Sequence, residues 1–135
     1  MEVIKEIKVI KEIKVKNPRS LTVYKKCMDL NKMVYQLVKR FPNEEKYRME
    51  SQIIRSCTSI GANLTEGNGQ IYSAKELSFL NNSLGSAQET IYWLELAKEN
   101  SYISSEQFKI AEGLTQEIMR MLIGMMKKLK SEEIA

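Results

Sequence analysis

Histidine is the commonest acid–base group in enzymes, and this chain has none. That excludes Ser-His-Asp and Cys-His nucleophile systems, histidine-ligated zinc and histidine proton relays. It leaves a carboxylate-only site as the formal alternative, with no convincing carboxylate pair to build one. A metal–carboxylate site on a helical bundle expects inward Glu-x-x-His motifs, which are equally absent. The two cysteines, Cys27 and Cys57, form no CxxC pair and fall at apolar-periodic positions. Buried free thiols account for them better than a redox couple does. Gly67 and Gly69 lack the following lysine–hydroxyl pair and the preceding strand of a phosphate cradle, so they read as turn glycines. No catalytic residue, metal ligand or cofactor is assigned, and the chain reads as non-enzymatic.

Cations are the remaining chemistry. Lys25, Lys32, Lys39 and Arg40 decorate one segment, and Arg48 and Arg55 stand seven apart on the next. Lys127, Lys128 and Lys130 lie near the C-terminus. Such a surface can neutralise phosphates. It can also be a solvated face, pair with Glu45 or Glu50, or complement a helix C-terminus. The net charge of +4 permits contact with nucleic acid or an acidic partner without requiring it. Asn63 and Glu66 sit one turn apart near Ser59 and could form a polar contact between subunits or a ligand site. Satisfying the free carbonyls of a helix end is the simpler role. Packing is likewise simpler than recognition for Met119, Met121, Met125 and Met126, and for Tyr92 and Trp93.

The elements that must position these residues read as four helices. In the first, starting near Ser20, Val23, Cys27, Leu30, Val34, Leu37 and Phe41 recur at four–three spacing. Tyr24, Met28, Tyr35 and Val38 widen the stripe, which suits packing on two neighbours. Pro42 ends it and Asn43 can cap the second, from about Glu44 to Glu66, with seam Ile53, Cys57, Ile60 and Leu64. Gly67 fits the left-handed position past a helix end. The third opens with Ser73-Ala74-Lys75-Glu76, a capping-box pattern, and carries Leu77, Leu80, Leu84, Ala87, Ile91 and Leu94. Its small residues Ser83, Gly85, Ser86 and Ala87 predict close approach of a neighbouring helix. A second box, Ser104 to Gln107, opens the fourth, with Phe108, Ala111, Thr115, Ile118, Leu122, Met125 and Leu129 on one face.

Short connections force neighbours to run antiparallel, so the expected fold is an all-α, up-down-up-down four-helix bundle over residues 20–135. The stripes are wide and the third helix is apolar on more than one side, which predicts self-association. Residues 1–19 stand apart as an N-terminal arm. Val3 to Lys8 reads VIKEIK and Val9 to Lys14 repeats it. Its apolar alternation suits a strand, yet a helical bundle has no sheet for it. A flexible arm, a short helix and a strand pairing with another chain all stay open, until Asn17-Pro18 closes the segment. With no long apolar run and no signal-peptide pattern, the chain is expected to be cytoplasmic.

One string is specific. Ser59-Ile60-Gly61-Ala62-Asn63-Leu64-Thr65-Glu66-Gly67 follows Ser51-Gln52-Ile53-Ile54-Arg55 and precedes Glu76, Phe79, Leu80, Gly85-Ser86 and Glu89. Phe41-Pro42, Glu45 and Tyr47 lie upstream. Over roughly residues 20–130 this resembles the four-helix bundle proteins encoded by intervening sequences of bacterial 23S ribosomal RNA genes. That family includes the accessory protein of diversity-generating retroelements. The resemblance implies a homopentameric ring with no catalytic residue, and Ser59, Asn63, Glu66 and Gly67 as a structural motif. For the retroelement relative it implies nucleic-acid binding beside a reverse transcriptase. Where family members often carry a basic residue after the Glu-Gly turn, this chain has Gln70. The expectation is therefore a homo-oligomer contacting RNA or DNA through Lys25, Lys32, Lys39, Arg40, Arg48 and Arg55. The alternative is a protein-interaction scaffold, or an accessory subunit of a reverse transcriptase-like enzyme, without direct nucleic-acid contact.

Overall fold

The computed structural model describes residues 16–134, and the repeated segment within the arm lies outside them. Among the described residues the chain is all helix and turn. The four helices are α1 (Thr22–Leu37), α2 (Met49–Asn68), α3 (Ser73–Glu99) and α4 (Ser105–Ile134). They pack in a closed square: α2 on α3 most extensively, then α3 on α4, α1 on α2 and α1 on α4.

α1 obeys its sequence period. Val23, Cys27, Leu30, Val34, Leu37 and Phe41 are all buried. Ser20 does not cap the helix. It lies in a 3₁₀ turn, Pro18–Ser20, and donates its hydroxyl to Asn17 O, while Leu21 occupies the cap position. At the other end the last turn tightens to 3₁₀ at Val38–Arg40 and Phe41 turns extended, as the residue before Pro42 must.

α2 starts later than expected. Asn43–Glu45 makes its own 3₁₀ turn, and Glu45 Oε2 then accepts from Met49 N at the helix start. The helix also runs past Gly67, which stays helical rather than left-handed. What Gly67 supplies is space: a Cβ there would stand 2.9 Å from Phe79 Cβ and 3.2 Å from Glu76 O. Here α2 and α3 touch backbone to backbone.

α3 departs most from expectation. No box forms at Ser73; Tyr72 holds the cap position, and Glu76 is instead buried, with Lys16 Nζ 3.1 Å from Oε1. The buried line is Leu80, Ser83, Ala87, Thr90, Leu94 and Ala97, while Leu77, Leu84 and Ile91 are only half-buried beside it. Buried hydroxyls are tolerable because each finds a partner. Ser83 donates to Ile60 O at 2.6 Å, and Ser56 to Ile53 O at 3.2 Å. Thr90 Oγ1 lies 3.0 Å from Ser56 Oγ and 2.8 Å from Ser86 O, its one proton serving either. The small residues do allow close packing, at Ser83 and Ala87 but not at Gly85, which faces open space.

Between α3 and α4, Ser101 adopts φ 62°, and Tyr102 N bonds back to Ala97 O. The predicted box at Ser104 forms in both directions: Gln107 N donates to Ser104 Oγ (3.0 Å) and Ser104 N to Gln107 Oε1 (2.8 Å). Phe108, Ala111, Thr115, Ile118 and Leu122 then enter the core, and Met119, Met121, Met125 and Met126 pack against it.

Candidate nucleic-acid interface

Residues seven apart on an α-helix return to nearly the same side, about 10 Å further along. Lys25, Lys32 and Lys39 therefore form a row along the outer face of α1 and its last turn, with Arg40 beside its end. Lys25, Lys32, Lys39 and Arg40 are all exposed. Other cations are engaged. Lys26 pairs with Glu117 (2.9 Å), Lys98 with Glu99 (3.4 Å) and Lys16 with Glu76. Among the described residues, no carboxylate lies within 4.0 Å of Lys25, Lys32, Lys39, Arg40 or Arg48.

Arg55 separates from this group. Its guanidinium pairs with Glu89 of α3 and donates to Gln52 Oε1 from Nε (3.3 Å) and Nη2 (3.0 Å). Glu89 also accepts from Trp93 Nε1 at 2.9 Å. Arg55 thus ties α2 to α3, and the half-buried Trp93 shares the same carboxylate. Arg48 is exposed at the start of α2, next to Tyr47, whose ring lies under Lys46 Nζ at 5.6 Å.

The motif residues turn inward on their own helix. Ser59 donates to Arg55 O (2.7 Å), Asn63 Nδ2 to Ser59 O (2.9 Å), and the Glu66 carbonyl accepts from Gln70 Nε2 (3.1 Å). Ser59 and Asn63 are half-buried, Glu66 exposed and Gly67 buried. Asn68 is buried with its Oδ1 unpartnered among the described residues.

Met28 and Tyr35, expected in a widened packing stripe, are instead 46% and 48% exposed. Met28 borders a groove of about 420 Å³ between α1 and α2, lined on one side by Tyr24, Cys27, Met28 and Asn31 and on the other by Thr58, Gly61, Ala62, Thr65 and Glu66. The signal for their exposure is positional: Met28 and Tyr35 fall beside the lysine row rather than beside the buried seam. Cys27 and Cys57 are free and buried, and burial pushes both thiols up to about 12, Cys57 aided by Cys27. Cys57 Sγ donates to Asn31 Oδ1 at 3.3 Å. Among the described residues no group of three acidic, cysteine or histidine side chains could hold a metal, and no helix is long and apolar enough to cross a membrane.

The family model for 23S rRNA-intervening sequence proteins matches residues 19–124. The chain belongs to this family. A crystal structure from Bacteroides thetaiotaomicron VPI-5482, described as a protein of unknown function from the S23 ribosomal protein family, is 37% identical, with TM-score 0.73. The match covers 78% of this chain and 99% of that one. No curated protein matches. The family match takes in the whole of α1, the motif from Ser59 to Gly67 and most of α4.

Proposed function

We propose that this member of the 23S rRNA-intervening sequence family is a non-catalytic, cytoplasmic homo-oligomer, a ring of five bundles, that contacts RNA or DNA through basic side chains. The observation that carries the reading is the apolar surface one bundle leaves bare. Tyr92 on α3, Ile110 and Ile123 on α4, and Ile71 and Tyr72 on the turn between α2 and α3 are 38–72% exposed. Half-buried Leu114 and Met121 stand four and eleven residues beyond Ile110, on the same side of α4. Scattered single hydrophobics are ordinary on protein surfaces, but a row along one helix favours a partner helix. The copy number of five follows the family resemblance.

Five copies of the exposed cations Lys25, Lys32, Lys39 and Arg40 would multiply a patch that is modest on one chain, and avidity would follow from that repetition. Light scattering coupled to size exclusion, with and without RNA, tests both parts. The expected result is a multimer that takes up RNA at low salt and releases it steeply as salt rises. An intact multimer with no uptake at low salt would reject direct nucleic-acid contact and leave the protein-scaffold reading.

A further inference from the structure

We infer that the outer flank of α1 is a strip for single-stranded RNA or DNA, on which Tyr35 stacks a base while Lys25, Lys32 and Lys39 hold the phosphates. The inference rests on the nucleic-acid reading above and narrows it to unpaired strands.

Three observations meet there. First, the three ammonium groups recur every seven residues, giving a row about 20 Å long, and none has a carboxylate within 4.0 Å among the described residues. Second, Met28 and Tyr35, themselves seven apart, run alongside this row and are nearly half exposed. Third, the groove that opens beside Met28 is lined by Tyr24 and Met28 from α1 and by the small residues Gly61 and Ala62 from α2, with Glu66 as its one charged lining residue. A cation row alone serves any nucleic acid. An aromatic and apolar edge beside it serves only one whose bases are unpaired, because a duplex keeps its bases stacked on each other. Tyr92 shows the contrast in charge balance. It is 58% exposed, but the charged side chains lining its shallow pocket are Glu95 and Glu99 alone, which repel phosphate, whereas on the α1 flank Lys25, Lys32 and Lys39 outnumber Asp29 and Glu66.

Fluorescence anisotropy on the intact protein tests this. The probes are a labelled riboadenylate and a labelled deoxyadenylate of about 15 nucleotides, near the upper footprint of single-strand binders, and a duplex of equal length. Expected is tighter binding of the single strands than of the duplex. Tyr35→Ala should weaken the single strands about 5- to 100-fold and leave the duplex unchanged. Tyr35→Phe should bind like the parent, and so should Tyr92→Ala. Lys32→Gln should lower the slope of log affinity against log salt by about 0.7 for each phosphate that Lys32 neutralises. A preference between the two sugars would support the strip and identify the natural strand. Single-strand binding that ignores Tyr35→Ala, or a duplex that binds as tightly, would overturn the strip while leaving nucleic-acid contact standing. No binding of any probe at low salt would overturn both.

Discussion

The Ser83 hydroxyl reaches across from α3 to the main-chain oxygen of Ile60 in α2, 2.6 Å away, at a point where both residues are fully buried. A serine in this place is a spacer as well as a donor. Its small volume brings the two helices together, and its proton leaves no polar atom stranded. Ser83→Ala should cost about 1 kcal/mol, the usual worth of one buried hydrogen bond. Ser83→Leu looks like an improvement on hydrophobic pattern, but it should cost about 1–3 kcal/mol or more by overpacking. Urea unfolding at fixed protein concentration reads both, since assembly makes stability concentration-dependent. A more stable Ser83→Leu would show that the α2–α3 seam is loose.

Two helical glycines should respond in opposite directions. Gly67→Ala puts a methyl 2.9 Å from Phe79 Cβ, an atom that cannot swing away. The strain, about 1–3 kcal/mol, should exceed the helix-propensity gain of about 1 kcal/mol. Gly85→Ala meets nothing within 4 Å and should gain that propensity undiminished. The check is the order of thermal midpoints: Gly85→Ala highest, parent next, Gly67→Ala lowest.

Ser101 holds a left-handed backbone at φ 62° while closing α3. A residue with a Cβ pays about 1–2 kcal/mol there, and glycine does not. Part of the gain is returned as unfolded-chain entropy. Ser101→Gly should therefore stabilise by about 0.5–1 kcal/mol, seen as a rise in midpoint with the unfolding slope unchanged. A lower midpoint would mean the Ser101 side chain contributes more than its conformation costs.

The thiols set an alkaline limit. Cys27 and Cys57 titrate at about 12 in the fold against 9.0 unburied, so the folded state keeps protons that the unfolded state releases. Raised thiols leave stability untouched below about pH 9 and lower it from there toward 12. The slope is about 1.4 kcal/mol per pH unit for each thiol. Cys57→Ala should flatten the decline between about pH 9 and 11. The native thiols should react with iodoacetamide at about pH 8 far more slowly than the urea-unfolded ones. Equal alkylation rates would contradict the burial.

The legible parts of the fold are those decided by period alone. The six seam residues of α1 and its extension are all buried because their spacing leaves one helical face to choose. In α3 the leucines mislead. Leu77, Leu84 and Ile91 mark the flank, and the core runs through Ser83 and Thr90, whose suitability depends on acceptors in and beside α2. No hydrophobicity pattern records that a hydroxyl is satisfied. Gly67 is legible as special but not for its reason, since a left-handed stop and a close helix contact use the same residue. In the candidate site, the spacing of seven aligns Lys25, Lys32 and Lys39 on one face. That Arg55 is held by Glu89 depends on how α2 meets α3, a relation between residues far apart in the chain.

Native mass spectrometry of the purified protein at micromolar concentration, in a volatile buffer of near-physiological ionic strength, bears most directly on the assembly. The expected spectrum is dominated by a species near five times the 15.6 kDa of one chain. A spectrum holding only the single chain would mean that Tyr92, Ile110 and Ile123 stay in water, and the oligomeric reading of the protein would fall.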